Sequence, residues 1–367
     1  MIIDLHCDTI EKAFDNKLKL DSSELSFNTI HAKQNLPHIQ CLATFVHSKY
    51  DKENKGFKRA NEIIDNFYKI YNQEEMFIIK TKEDLQSKEL NKKIGVILTI
   101  ENGTAISGKY ATGKTISRKL EHDTKISNNL DNIQKLYKKG IRMMGIVWND
   151  DNDLGCGALT ANDTGLTELG KNYIKELVKQ KIIIDVSHAS KKTFWDTCEI
   201  IKNKKISFNK SEIVDNKTKK SNNTKHIEYP IIASHSCVQK LCNHPRNLDD
   251  EQIKQIAKTG GVIGICFCNI FLTQNKTATV KDIVNHIDYI ANLVGIDYIS
   301  FGSDFDGLEK EHIMQDIKGV NDYALIIEEL KQRGYTQEDI EKICYKNFIR
   351  VAEKMLWCDF GTMLNWK

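Results

Sequence analysis

The 367-residue chain is 40% hydrophobic and 28% charged, with a formal net charge of +3 and ten cysteines. That apolar content suffices for a sizeable core, but no stretch reaches the ~18–20 consecutive apolar residues of a membrane-spanning helix. Cysteines this sparse do not build the framework of a small secreted domain. Neither Cys266 with Cys268 nor Cys237 with Cys242 has zinc-ribbon spacing, so all ten are read as reduced thiols, mostly packing residues.

The first apolar run starts almost at Met1 and leaves no room for a removable leader, so a cytoplasmic protein is expected. The positive charge is local. Between Lys202 and His226 eight lysines face only Glu212 and Asp215, a net +6, which leaves −3 for the rest of the chain. This Lys/Asn/Ser-rich segment holds a single aromatic, Phe208, and reads as a solvated insertion rather than a nucleic-acid surface.

In chain order, short apolar runs lie at 1–5, 39–46, 94–100, 141–147, 182–187, 231–234, 261–267 and 298–303. Runs of this kind are the signature of parallel strands buried on both faces. Helical periodicity separates most of them. Leu166, Leu169, Tyr173, Ile174, Leu177 and Val178 form one apolar face, and Ile283, Ile287, Ile290, Ala291 and Val294 form another. Asp249 is placed to cap a helix through Ile253 and Ile256 that Gly260 ends, and amphipathic helices follow near 321–333 and 336–356. Strands alternating with helices predict an α/β fold, a (β/α)8 TIM barrel in a single domain over 1–367, with insertions near 104–127 and 203–227. The second insertion, joining a helix end to a strand start, is expected on the face away from the active site, mobile and catalytically neutral. An open doubly wound sheet would want a glycine-rich loop after the first strand, and His6-Cys7-Asp8-Thr9 is not one.

Imidazoles and carboxylates recur where these runs end, the position at which a barrel carries its chemistry. His6 and Asp8 share one face of the first strand end and suit a divalent transition metal, most often zinc. Cys7 between them points the other way. His188 and His235, at neighbouring strand ends, offer nitrogens to a second ion, and Glu101 has two oxygens with which to bridge the pair. Asp304 ends the last run and either ligates metal or accepts and returns a proton, with Asp306 as competitor for the latter role. Arg246, in the loop after the sixth run, offers a two-pronged clamp for a substrate carboxylate, and Trp148 a pocket wall. Each also has a plain reading: a satisfied core histidine, a turn glutamate before Asn102-Gly103, a surface ion pair, or core packing.

Taken together, Asp4-Leu5-His6-Cys7-Asp8-Thr9, Ile100-Glu101-Asn102-Gly103, Asp185-Val186-Ser187-His188, Pro230 to Ser236 followed by His244-Pro245-Arg246-Asn247, and Phe301 to Gly307 resemble the membrane dipeptidase (renal dipeptidase) family, bacterial-type members especially. The resemblance covers nearly the whole chain apart from the two insertions. It implies an amidohydrolase-type barrel with two Zn2+ per subunit. His6 and Asp8 would hold one ion, His188 and His235 the other, with Glu101 bridging, Asp304 as acid/base and Arg246 binding substrate. It also suggests a homodimer. One departure is Trp148, where the mammalian enzyme has a histidine that contacts the substrate, which leaves the oxyanion stabiliser unassigned.

The function expected is hydrolysis of free dipeptides by a hydroxide shared between the two zinc ions, with no nucleic-acid or membrane partner. Other readings are a related amidohydrolase acting on N-acyl amino acids, cyclic amides or lactones, and an inactive metal-binding barrel.

Overall fold

The computed structural model describes residues 1–52, 55–107, 129–202, 205–206, 227–275 and 277–356. Eight strands follow one another in parallel: β1 (Ile2–Cys7), β2 (His38–Thr44), β3 (Ile94–Ile100), β4 (Ile141–Gly145), β5 (Ile183–Asp185), β6 (Ile231–Ile232), β7 (Ile263–Ile265) and β8 (Ile299–Phe301). Neighbours in sequence are neighbours in the sheet, and β8 returns to β1 through the register Asp4↔Phe301. Beyond β6 the Ala233 N–H donates to Val262 O at 3.1 Å, and Gly264 N donates to Ala233 O at 2.8 Å, which closes the ring. The fold is the expected TIM barrel.

All the expected strands are present, several of them two or three residues shorter than their apolar runs. Just beyond β5, β6 and β8 the backbone N–H groups of Ser187, Ser234 and Ser303 donate to the carboxylates of Asp185 and Asp4 instead of continuing the ladder. A short strand, Met76–Ile78, adds to the outside of β3 and has no counterpart among the expected runs. Strands β1 to β3 are buried along their whole length, as parallel strands covered by helices must be.

The outer helices follow the periodicity. Glu168–Gln180 buries Tyr173, Ile174 and Leu177, and Val280–Val294 buries Ile283, Ile287 and Ile290. Asp249 caps Asp250–Thr259 in a reciprocal box with Gln252, a device worth about 1 kcal/mol, and Gly260 ends that helix at φ 78°. After β8 the chain closes with Tyr323–Gln332, Gln337–Glu341 and Asn347–Met355, the last two joined by one π-helical turn at Lys342–Lys346. The nine cysteines among the described residues are all buried and free. The insertions near 104–127 and 203–227 fall largely outside the described residues. What is described of them is a 3-10 turn at Gly103–Ile106 and an antiparallel backbone pair, Lys205–Ile206 with Ile227–Glu228. No helix among the described residues is long and apolar enough to cross a membrane.

Beneath the carboxyl-terminal rim the barrel interior is polar where packed aliphatic layers are usual. Asp4, His38, Gln40, Asp185 and Ser234 are all fully or almost fully buried. Burying a carboxylate without partners costs several kcal/mol, so each must be hydrogen-bonded. Asp4 accepts from Gln40 Nε2 at 2.8 Å, Ser303 N at 2.8 Å and Ser303 Oγ at 2.6 Å.

Candidate active site

Six side chains from five strand ends or the turns just beyond them converge at this rim: His6 and Asp8 from β1, Glu101 from β3, His188 from β5, His235 from β6 and Asp304 from β8. His6 Nε2 lies 3.3 Å from Asp8 Oδ2, 3.7 Å from Glu101 Oε2 and 3.8 Å from Asp304 Oδ1. Glu101 turns its other oxygen to the second histidine pair, with Oε1 3.0 Å from His188 Nε2 and 4.0 Å from His235 Nε2. The two oxygens of Glu101 therefore face the two halves of the cluster.

Local backbone explains the placement. Asp8 occupies the N-cap of the helix Thr9–Asn16 but makes no capping bond; its carboxylate faces His6 instead. Glu101 follows β3 directly and is buried, not the exposed turn residue its Asn102-Gly103 context allowed. Gly145 lets β4 approach so closely that a Cβ there would lie 1.9 Å from the Glu101 carbonyl. His188 and Asp304 both take left-handed φ, 66° and 64°, a conformation that costs a non-glycine residue of order 1 kcal/mol and persists only where surroundings enforce it. Asp306 is also left-handed, but its oxygens are taken by Thr9 Oγ1, Lys12 Nζ, Ser26 N and Phe27 N at 2.6–3.3 Å. It is therefore tied down outside the cluster.

The electrostatics of the site are unbalanced. Burial, then the charge of Asp8, pushes Glu101 well above the usual carboxylate range. Asp304 rises to about 6, with burial the main cause and His6 opposing it. Burial works against a charged His6, but Asp8 beside it outweighs that and raises it to about 9. Burial holds both His188 and His235 well below the ordinary histidine value, helped by Arg246 and His6.

Hydrogen bonds fix how the imidazoles face. His188 Nδ1 meets Asn149 Oδ1 at 2.8 Å, and the amide oxygen only accepts, so Nδ1 carries the proton and Nε2 is left as a lone pair. His188 Nε2 lies 2.8 Å from His235 Nε2. In addition, His6 Nε2 and Asp8 Oδ1 are buried and make no hydrogen bond among the described residues. Two nitrogens at contact distance beside unpartnered donor atoms fit a cation. The donor set of imidazoles and carboxylates matches zinc or a similar divalent metal. His6, Glu101 and His235, and likewise His6, Asp8 and Asp304, place ligand atoms within 4.8 Å of one another.

Arg246 is buried against this cluster. One guanidinium nitrogen donates to the His235 carbonyl at 3.1 Å, Nε has no partner, and the group lies over the Phe271 ring at 5.4 Å. Among the described residues no carboxylate pairs with it. Trp148 stands at the rim, its ring 6.2 Å from that of His188 and close to Phe45 and His47 at 5.2 and 5.5 Å. A cleft of about 510 Å³ is lined by Ala189, Ser190, Pro245 and Asn247, sequence neighbours of His188 and Arg246, but by none of the cluster residues themselves.

A family model for membrane dipeptidases, peptidase family M19, matches residues 1–119 and 115–357. The chain belongs to the membrane dipeptidase family. It is a metallo-dipeptidase, a hydrolase, as that membership supports. A Klebsiella pneumoniae relative, an uncharacterized protein encoded in the pqqA 5′ region, is 34% identical over 235 residues, covering 61% of this chain and 76% of the relative. Two crystal structures share the fold. The family M19 metallopeptidase dipeptidase AC superposes with TM-score 0.77 at 20% identity, over 97% of this chain and 99% of its own. A Rhodobacter sphaeroides metallopeptidase, liganded with a phosphinate mimic of L-Ala-D-Ala, gives 0.76 at 18% identity, over 96% and 99%.

In this membrane dipeptidase family member the structure brings His6, Asp8, Glu101, His188, His235 and Asp304 together, with Arg246 buried beside His235 and Trp148 half-buried near His188. Sequence reasoning missed the groups behind them: Asn149 on His188, the Asp185–Ser234 pair on His235, Cys266, whose thiol lies 3.6 Å from Asp304 Oδ2, and the rim aromatics Phe45 and His47. Asp4 and Asp185 did carry a signal, as carboxylates inside otherwise apolar strands.

Proposed function

We propose that this protein hydrolyses free dipeptides with two divalent cations, zinc first among the candidates, held by His6 and Asp8 on one side, His188 and His235 on the other, and Glu101 between them. The observation that carries the reading is the pair of inward-facing imidazole nitrogens beside the unpartnered His6 Nε2 and Asp8 Oδ1. When bound, such cations supply Lewis acidity that lowers the pKa of bound water towards ~7 and polarises a carbonyl.

The chain's own groups do the rest. Asp304, 3.8 Å from His6 and raised to about 6, is suited to take a proton from water and return it to the departing amine near neutral pH. Arg246 presents a buried guanidinium that pairs with no carboxylate among the described residues, an environment that favours the terminal carboxylate of a dipeptide and so measures substrate length by charge. Phe45, His47 and Trp148, whose rings pack together beside His188, would wall that side of the site.

The deciding experiment pairs metal quantification with hydrolysis of free, carboxyl-amidated and N-acylated dipeptides. Two metal equivalents and a strong preference for free dipeptides are expected. Equal or better cleavage of N-acylated substrates would replace the dipeptide reading with a related amidohydrolase one.

A further inference from the structure

Two buried carboxylates hold the rim in the same way. Asp4, on β1, accepts from His6 N, two residues on, and from the backbone and hydroxyl of Ser303, which precedes Asp304. Asp185, on β5, accepts from Ser187 N, two residues on, and from the backbone and hydroxyl of Ser234, which precedes His235. They differ in where the serine leads. Ser303 Oγ goes on to accept from Phe305 N at 3.1 Å and so fixes the turn, whereas Ser234 Oγ lies 2.8 Å from the ring nitrogen His235 Nδ1.

That contact has a direction. A hydroxyl has one proton, and Asp185 Oδ2, 2.5 Å from Ser234 Oγ, can only accept it while ionised. Ser234 Oγ then has only lone pairs for the imidazole, so His235 Nδ1 must carry a proton. A neutral ring protonated at Nδ1 is bare at Nε2, the nitrogen that faces His188 and Glu101.

We propose that Asp185 is a positioning residue that acts through the Ser234 hydroxyl to hold His235 in the Nδ1-protonated tautomer, keeping Nε2 open for a cation. The inference rests on the cation-binding reading of the cluster, but the tautomer itself is a property of the metal-free protein. Partners behind a ligating histidine change metal affinity by ~10–100-fold when removed.

The replacement Asp185→Asn has a distinctive consequence. Asp185 Oδ1 accepts two backbone N–H groups, from Ser187 and Ser234, both at 2.9 Å, so the amide oxygen must take that position. The amide NH2 then faces Ser234 Oγ and donates to it. The hydroxyl proton turns to His235 Nδ1, and the ring proton moves to Nε2.

The test is 15N NMR of histidine-labelled, metal-free full-length protein, with cobalt(II) titration followed by its visible absorption. Wild type should show His235 protonated at Nδ1, Ser234→Ala a mixture of tautomers, and Asp185→Asn the Nε2 form. Cobalt affinity should fall ~10–100-fold in both variants, and Ser234→Thr, which keeps the hydroxyl, should restore tautomer and affinity. A folded Asp185→Asn protein still protonated at Nδ1, with unchanged cobalt affinity, overturns the proposal. Should Ser234→Ala fail to fold, the near-isosteric Asp185→Asn decides alone. Wild type that shows the Nδ1 tautomer but binds no cobalt would refute the cation reading and leave the relay standing.

Discussion

His188 Nε2 and His235 Nε2 lie 2.8 Å apart although neither ring readily takes a proton. Side chains 47 residues apart in sequence are held with their lone pairs facing one another, an arrangement that repels unless a positive charge sits with them. Replacing either by alanine relieves the repulsion and removes a candidate ligand. His188→Ala and His235→Ala should each lose one of two metal equivalents and nearly all turnover, as read by metal analysis and dipeptide hydrolysis. Retention of both metals would refute the assignment.

Asp304→Asn keeps the size of the side chain and removes its basicity. The variant should bind metal normally and hydrolyse dipeptides ~10²–10⁴-fold more slowly, the usual contribution of a positioned acid/base group. An unaltered kcat would move proton transfer to another residue.

For Arg246→Ala the loss should appear mainly in KM for free dipeptides. An interaction between guanidinium and carboxylate is present before and during reaction alike, so it affects binding more than kcat. The variant should barely distinguish free from carboxyl-amidated dipeptides, whereas wild type should prefer the free ones strongly. Steady-state kinetics on matched pairs checks this.

Gly307 borders the cluster without supplying any chemistry. A Cβ there would lie 2.2 Å from Asp8 Oδ2 and 2.8 Å from Asp304 Oδ1, so Gly307→Ala must displace both carboxylates. We expect a folded protein with metal affinity and activity each reduced at least ~10-fold. Wild-type affinity, measured by competition with a chromogenic chelator, would mean the turn absorbs a methyl group freely.

Chelation should change how stability depends on pH. In the metal-free protein His6 is raised to about 9 from an unfolded value near 6.5, chiefly because Asp8 outweighs its burial. A raised base contributes stability that is complete below about 6.5 and is lost as pH rises through 9. Metal-free protein should therefore melt at lower temperature at pH 9 than at pH 7. In loaded protein the cation takes the place of that proton, and the decline should be absent. Parallel melting curves with and without EDTA decide the matter.

Much of this site was legible because its candidate ligands close apolar runs. His6, Glu101, His188, His235 and Asp304 stand at or just beyond strand ends, and in a parallel barrel those ends share one rim. Glu101 shows the limit of such reading, since Asn102-Gly103 fits an exposed turn equally well and only burial decides. Asp306 resembles Asp304 in sequence context and left-handed backbone, yet four hydrogen bonds commit it elsewhere. Ser234 and Asn149 were silent because a serine or asparagine in a strand-end loop is unremarkable until its partner is known.

Local pattern alone determined that the chain is an α/β barrel, which strands it uses, and which side chains gather at one end, because hydrophobic periodicity is a local property that the fold repeats. Tertiary structure decided how those side chains face. The direction of a proton along Asp185, Ser234 and His235, the left-handed turns at His188 and Asp304, and the seating of the Arg246 guanidinium on the His235 carbonyl and the Phe271 ring all depend on atoms far apart in the chain. Hydrogen bonds are directional and short-ranged, so they register only after the barrel has brought the strands together.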